Sequence, residues 1–241
     1  YLGKLVFDYA IRFIRHLRAD GRRVLFFTNN ASHSTAFYVD KLKRLGFEPT
    51  ADEIMSSADV TVAYLHRHYP GKSVYLVGTE ELSRHFREAG IPLDEEKADI
   101  VVSSFDTELT YRKLDNACRL IRNGALYLCT HPDLNCPTAD GFMPDTGSMI
   151  ELFAASTGKR PLVMGKPMTA TVDYITHMLS CSCDEIAFIG DRLATDIAIG
   201  ASHGIPSVLV LSGVTTREEY ENSDIKASAV VDSMKDLAEY L

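Results

Sequence analysis

Ile186-Ala187-Phe188-Ile189-Gly190-Asp191-Arg192-Leu193-Ala194-Thr195-Asp196 is a short apolar run that ends on a glycine and delivers two carboxylates. A run of this length with a turn residue behind it predicts a buried strand of a parallel sheet meeting its loop. The carboxyl end of such a strand is where open α/β sheets bind ligands. A hard divalent cation such as magnesium wants oxygen ligands and takes one or two protein carboxylates, with water and phosphate oxygens around the rest. Asp191, on the turn, is the candidate ligand. Asp196 has three open roles: capping the following helix, completing the outer shell of the metal, or orienting its neighbours.

Outward from that strand the same unit repeats. Apolar residues at helical spacing over Phe7–Leu17 stop at Asp20-Gly21, and Val24-Leu25-Phe26-Phe27 then runs as a strand into Thr28-Asn29-Asn30. Helices are expected at Phe37–Leu45, Val60–His68, Tyr111–Asn123, Met149–Ser156, Ala170–Leu179 and Asp196–His203. Strands are expected at Glu53–Ser56, Val74–Val77, Ile100–Ser103, Ala125–Cys129, Leu162–Met164, Ile186–Ile189 and Ser207–Leu211. Strands alternating with helices predict an α/β fold with parallel sheet and crossover connections. The units are too many for one compact sheet. Punctuation at Tyr69-Pro70-Gly71 and Thr157-Gly158-Lys159-Arg160-Pro161 marks 70–160 as an inserted domain, leaving 1–69 and 161–241 as the core.

Two further segments carry chemistry. Thr28-Asn29-Asn30 places a hydroxyl and successive backbone N–H groups at a strand end, a turn suited to phosphate oxygens, although plain turn chemistry uses the same residues. In Val163-Met164-Gly165-Lys166-Pro167 the glycine lets the backbone approach closely and Lys166 presents a point charge. Taken alone, that lysine reads as a solvated surface side chain.

Composition narrows the classes. The 241 residues are 46% hydrophobic and 24% charged, with a formal net charge of -8, which argues against a nucleic-acid binder. The sequence shows no membrane-length apolar run and no secretory leader pattern, so the chain reads as cytoplasmic and no membrane partner is expected. Five cysteines without C-x-x-C spacing suggest reduced thiols rather than a disulfide framework or zinc site, and Cys181-Ser182-Cys183 reads as two ordinary thiols. No G-x-G-x-x-G follows any strand, which removes the dinucleotide binder.

Thr28, then Gly165-Lys166-Pro167, then Gly190-Asp191 to Thr195-Asp196 resemble the ordered motifs of the haloacid dehalogenase superfamily. Thr130-His131-Pro132-Asp133, Asp140-Gly141 to Thr146-Gly147-Ser148, Thr157-Gly158 and Leu211-Ser212-Gly213-Val214-Thr215 resemble its subfamily with a large α/β cap, which includes p-nitrophenyl-phosphate, sugar-phosphate and nucleotide phosphatases. The resemblance implies a Rossmann-like parallel-sheet core with 70–160 as the inserted cap. The family's first motif, Asp-x-Asp-Gly-Thr, is absent. Val6-Phe7-Asp8-Tyr9-Ala10 departs from it at Ala10 and continues as helix, while Tyr1-Leu2-Gly3 resembles the segment that follows it. The nucleophile is therefore expected ahead of Tyr1.

What the resemblance implies is a magnesium-dependent phosphatase acting on small phosphorylated metabolites through an aspartyl-phosphate. Asp191 would ligate the metal with Asp196 supporting it. Thr28 and the backbone of Asn29 and Asn30 would bind phosphate, and Lys166 would neutralise the nucleophile and the phosphoryl group. Asn135 and Cys136, beside His131 and Asp133, are assigned to the substrate-facing loop; that stretch reads equally as an irregular cap loop without ligand contact. His131 is not assigned as a base, since the family's aspartate fills that role. The resemblance also allows a homodimer through the cap. The competing reading is a catalytically dead phosphate- or nucleotide-binding module of the same fold.

Overall fold

The computed structural model describes residues 8–138 and 141–238; Tyr1-Leu2-Gly3, Val6-Phe7 and Asp140, which the sequence reading used, lie outside them. In chain order the elements are α1 (Asp8–Ala19), β1 (Phe26–Thr28), α2 (Thr35–Arg44), β2 (Ile54–Ser56), α3 (Ser57–His68), β3 (Val74–Val77), α4 (Glu80–Glu88), β4 (Ile100–Ser103) and α5 (Tyr111–Arg122). They continue with β5 (Leu126–Cys129), β6 (Asn135–Thr138), β7 (Gly141–Pro144), α6 (Thr146–Thr157), β8 (Leu162–Val163), α7 (Thr169–Leu179) and β9 (Phe188–Gly190). A π-helical turn (Leu193–Ile197) then leads into α8 (Ala198–His203), β10 (Ser207–Val210), α9 (Arg217–Glu221), β11 (Ala229–Val231) and α10 (Met234–Ala238). No helix among the described residues is long and apolar enough to cross a membrane.

The chain forms two compact units. One comprises Tyr1–Phe26, Val39–Glu53 and Lys166–Leu241, the other Phe27–Tyr38 and Ile54–Gly165, so β1 and α2 are divided between them. The first unit is built on the parallel sheet β11-β10-β9, with Ser207 beside Phe188 and Val208 beside Ala229. Val172 of α7, Ile199 of α8 and Ile205 form its apolar centre, with Ile186 and Phe188 packed against them.

The second unit holds the parallel sheet β3-β4-β5-β8, in register Val74↔Ile100↔Leu126. Val101, Val102 and Leu128 are fully buried, as continuous apolar strands covered on both faces must be. Tyr127 and Phe153 meet edge to face at 5.7 Å, and α5 and α6 contribute Ala117, Leu120, Ile121 and Met149 to the same core. The turns at Tyr69-Pro70-Gly71 and at Gly158 both lie within this unit.

The α/β class with parallel sheets is as expected, and β3 and β4 have the expected limits. Several elements differ. α4 was not anticipated, although Thr79 accepts a hydrogen bond from Leu82 N as its N-cap, Glu80 and Glu81 follow, and Leu82 and Phe86 form its buried face. α6 starts three residues before Met149 because the Asp145 side chain caps it, accepting from Thr146 N at 2.6 Å. The 135–138 stretch, read as loop, is a strand. It pairs antiparallel with β7 in a hairpin exposed along most of both strands, where an apolar alternation cannot announce it.

Candidate active site

The end of β9 shows how five residues fold a carboxylate back onto its own strand. After Gly190 the chain turns through Asp191 and Arg192 and enters the π-helical turn, whose Asp196 and Ile197 N–H groups both donate to Arg192 O, at 2.9 and 3.2 Å. Asp196 Oδ2 thereby accepts from the backbone N–H groups of Asp191 and Arg192, at 3.3 and 3.2 Å. Its other oxygen accepts from Lys166 Nζ at 2.6 Å, in a nearly buried ion pair. A Cβ on Gly190 would overlap the Asp196 carboxylate, so the glycine is required by close approach.

Asp191 is held from the other side. Its Oδ2 accepts from Val214 N at 2.9 Å, and its backbone oxygen accepts from Thr215 N at 3.0 Å. Thr215 is buried, and its Oγ1 accepts from Leu193 N. A Cβ on Gly213 would collide with the Asp191 side chain. Gly213, Val214 and Thr215 thus fix the carboxylate, a role that the sequence reading had not given them. Lys166 is buried rather than solvated, and the Asp196 side chain accepts from the N–H groups of Asp191 and Arg192 in front of it rather than capping the helix behind. Among the described residues no group of three His, Cys, Asp or Glu side chains converges as a metal cage. The donor set fits magnesium nonetheless, because that ion takes one or two carboxylates and keeps water or phosphate oxygens elsewhere.

Thr28, Asn29 and Asn30 lie in the second unit. Thr28 Oγ1 accepts from Asn30 N at 3.1 Å, which leaves its own proton to donate. Asn30 Oδ1 accepts from both Ser32 N and Ser32 Oγ, an Asx turn, and Tyr38 OH donates to Asn30 O. Asn29 is buried; its carbonyl accepts from Ser57 Oγ at 2.6 Å, and its Nδ2 donates to Asp133 Oδ2 at 2.7 Å. Further round the loop, Thr79 Oγ1 donates to Ser32 O and Glu81 accepts from Ser34 N.

Beneath this loop sits a polar cluster. His131, fully buried, is 2.8 Å from Asp145 Oδ1 through Nε2; its Nδ1 is 2.9 Å from Thr130 Oγ1 and 3.4 Å from Ser57 Oγ. Ser57, His131 and Asp145 thus stand in the order of a hydrolytic triad, yet Ser57 is fully buried and its hydroxyl is committed to Asn29 O, so no substrate reaches it. Burial holds the neighbouring Cys129 thiol above its ordinary range. Gly147 donates its N–H to Asp133 O, and a Cβ there would overlap the Pro132 and Asp133 carbonyls.

The predicted residues therefore fall into two groups. Lys166, Asp191 and Asp196 meet in the first unit, and Thr28, Asn29 and Asn30 share one loop of the second. Asn135 and Cys136 are on β6, opposite Pro144 and Met143, with Asn135 exposed. Asp133 and His131, which sequence reading set aside or used only as neighbours, are the side chains that contact the Thr28 loop and its support. The five cysteines are free thiols.

Residues 1–92 match a family model described as haloacid dehalogenase-like hydrolase, and residues 163–237 match one described as HAD-hydrolase-like. The 5'-nucleotidase YutF of Bacillus subtilis (strain 168) is 32% identical, over 100% of this chain and 94% of the relative. The acid sugar phosphatase of Staphylococcus aureus (strain MRSA252) is 33% identical, over 99% and 92%. The crystal structure of 4-nitrophenylphosphatase from Thermotoga maritima superposes with a TM-score of 0.95 at 38% identity, covering 99% of this chain and 92% of the other.

Proposed function

Because the chain belongs to the haloacid dehalogenase-like hydrolases, we propose that it hydrolyses small phosphate monoesters, sugar phosphates or nucleotides among them, with magnesium. That it is a phosphoric-monoester hydrolase rests on relatives that match its whole length and are named phosphatases or nucleotidases. The observation that carries the chemical reading is the Asp191–Asp196–Lys166 cluster. Two carboxylates and one ammonium group are held at the carboxyl end of a parallel strand by backbone N–H groups and by two glycines that leave no room for a side chain.

Each side chain has a defined task. Asp191 would hold the magnesium ion, which supplies positive charge against the phosphate oxygens when bound. Asp196 fixes the Asp191 and Arg192 backbone and pairs with Lys166. Lys166, paired with Asp196, would neutralise charge on the nucleophile and the phosphoryl group. The Thr28 hydroxyl donates its proton to a phosphate oxygen, with the Asn29 and Asn30 segment around it. The aspartate nucleophile of the family pattern would form an aspartyl phosphate, a mixed anhydride that water then hydrolyses. Residues 70–160 act as the cap that excludes water and chooses the leaving group, with Asn135 and Cys136 on its exposed hairpin. Free thiols throughout suit a cytoplasmic enzyme.

The test is hydrolysis of p-nitrophenyl phosphate by the natural full-length chain, with magnesium and with a chelator. Turnover that the chelator abolishes and Asp191→Asn removes is the expected result. A folded protein that binds inorganic phosphate without turning over the ester would make the binding-module reading correct instead.

A further inference from the structure

The Asn29 side chain is fixed at both ends of its amide. Nδ2 donates to Asp133 Oδ2 at 2.7 Å, and Oδ1 lies against Gly165, where an added Cβ would sit at 2.8 Å. The carbonyl of the same residue takes the Ser57 hydroxyl. Asp133 is itself anchored: its backbone oxygen accepts from Gly147 N, in the first turn of α6, and Asp145, the cap of that helix, is paired with buried His131. Three sequence-distant segments, at Ser57, Asp133 and Gly165, thus meet one residue that stands next to Thr28, and a fourth, at Asp145–Gly147, anchors Asp133. We propose that Asp133 is a positioning residue for phosphate binding. It acts through the amide of Asn29 to set the Thr28-Asn29-Asn30 loop, and it does not touch the leaving group. This rests on the phosphatase reading above.

A hydrogen bond to a charged acceptor, lost while its donor stays buried, costs enough to let the Asn29 amide turn and the loop shift. The loop binds the phosphate of every substrate, so the loss must be the same for all of them. In the natural full-length enzyme, Asp133→Ala is expected to raise the KM for p-nitrophenyl phosphate and the Ki for inorganic phosphate together, about tenfold each. The kcat should stay within about threefold, because uniform binding is what is removed. Asp133→Asn, whose oxygen can still accept from Asn29, should remain within about twofold of wild type. In an Asn29→Ala background, Asp133→Ala should add less than about a further twofold, since coupled residues are not additive. Asp133→Ser gives the same comparison where Asp133→Ala does not fold. A purely structural role would lower kcat through loss of active protein and leave KM and Ki untouched, which overturns the proposal. So would an unchanged phosphate Ki with KM effects that differ between p-nitrophenyl phosphate and a sugar phosphate, or additivity with Asn29→Ala. Wild type is measured first: if it neither turns over the ester nor is inhibited by phosphate, the phosphatase reading fails and takes this inference with it, whereas an active wild type with an indifferent Asp133→Ala defeats the positioning role alone.

Discussion

The carboxylate cluster of the first unit and the Thr28-Asn29-Asn30 loop of the second achieve fixed geometry by opposite means. At the end of β9 the carboxylate is folded back by local restraints: Asp196 is held by the N–H groups of residues five and four positions before it, and Lys166 and the Gly213–Thr215 segment add restraints from further away. Around Asn29 the partners come from a distance, Ser57 and Asp133 among them, and the support below joins His131 to Asp145 and Ser57. A local arrangement depends on backbone turns and on glycines that admit them. A distant one depends on buried polar side chains satisfying one another, where removal of one partner leaves the other stranded.

The largest effect separating the two should come from Gly213→Ala. Its methyl group collides with the Asp191 carboxylate, so magnesium-dependent turnover should fall by about 100-fold or more. The melting temperature should change little, and turnover measured beside thermal unfolding checks both; retained activity would mean that Asp191 is not held as described. Next, Lys166→Met strands Asp196 without its buried partner and should cost about 3–5 kcal/mol in urea unfolding, along with activity.

His131→Ala probes the second region by the same logic, leaving Asp145 and the Thr130 hydroxyl short of a partner under complete burial. A loss of about 2–4 kcal/mol is expected. A loss below that of a surface substitution would break the claim that this cluster is the loop's support.

The smallest effect lies away from both sites. His85 Nε2 is 3.2 Å from Asp59 Oδ1 as an ion pair without an aligned hydrogen bond. The Asp59 carboxylate raises the His85 pKa, against the burial that lowers it. For Asp59 burial pushes upward, and contacts from His85 and the Ser56 N–H outweigh it, so its carboxyl lies below the usual range. A raised histidine contributes stability that is complete below its unfolded value, near 6.5, and is lost as pH rises through the folded one. Wild type should therefore lose about 0.5–1 kcal/mol more than His85→Gln between pH 6 and 9, read by urea titration at each pH. Equal pH profiles would show the pair to be inert.

How much of this was legible follows from the range of the interactions. β3 and β4 could be read to the residue because a doubly covered strand is a continuous apolar run. Asp191 and Asp196 stood out because the strand, turn and carboxylates are contiguous. α4 had its Thr79 cap and acidic first turn in plain sequence, and only the apolar pair Leu82 and Phe86, too sparse to show a period, hid it. The exposed β6–β7 hairpin offered no alternation at all.

The linear sequence by itself carried the α/β class and the Asp191–Asp196 pair, each encoded by residues within a few positions of one another, and the family through short motifs that keep their order along the chain. The tertiary structure alone decided that Lys166 is buried against Asp196, that Gly213 and Val214 hold Asp191, and that Asp133 reaches Asn29. The hydrogen-bonded pairs among them are 23 to 104 positions apart, and a side-chain hydrogen bond across such a separation exists only once the intervening chain has folded around it.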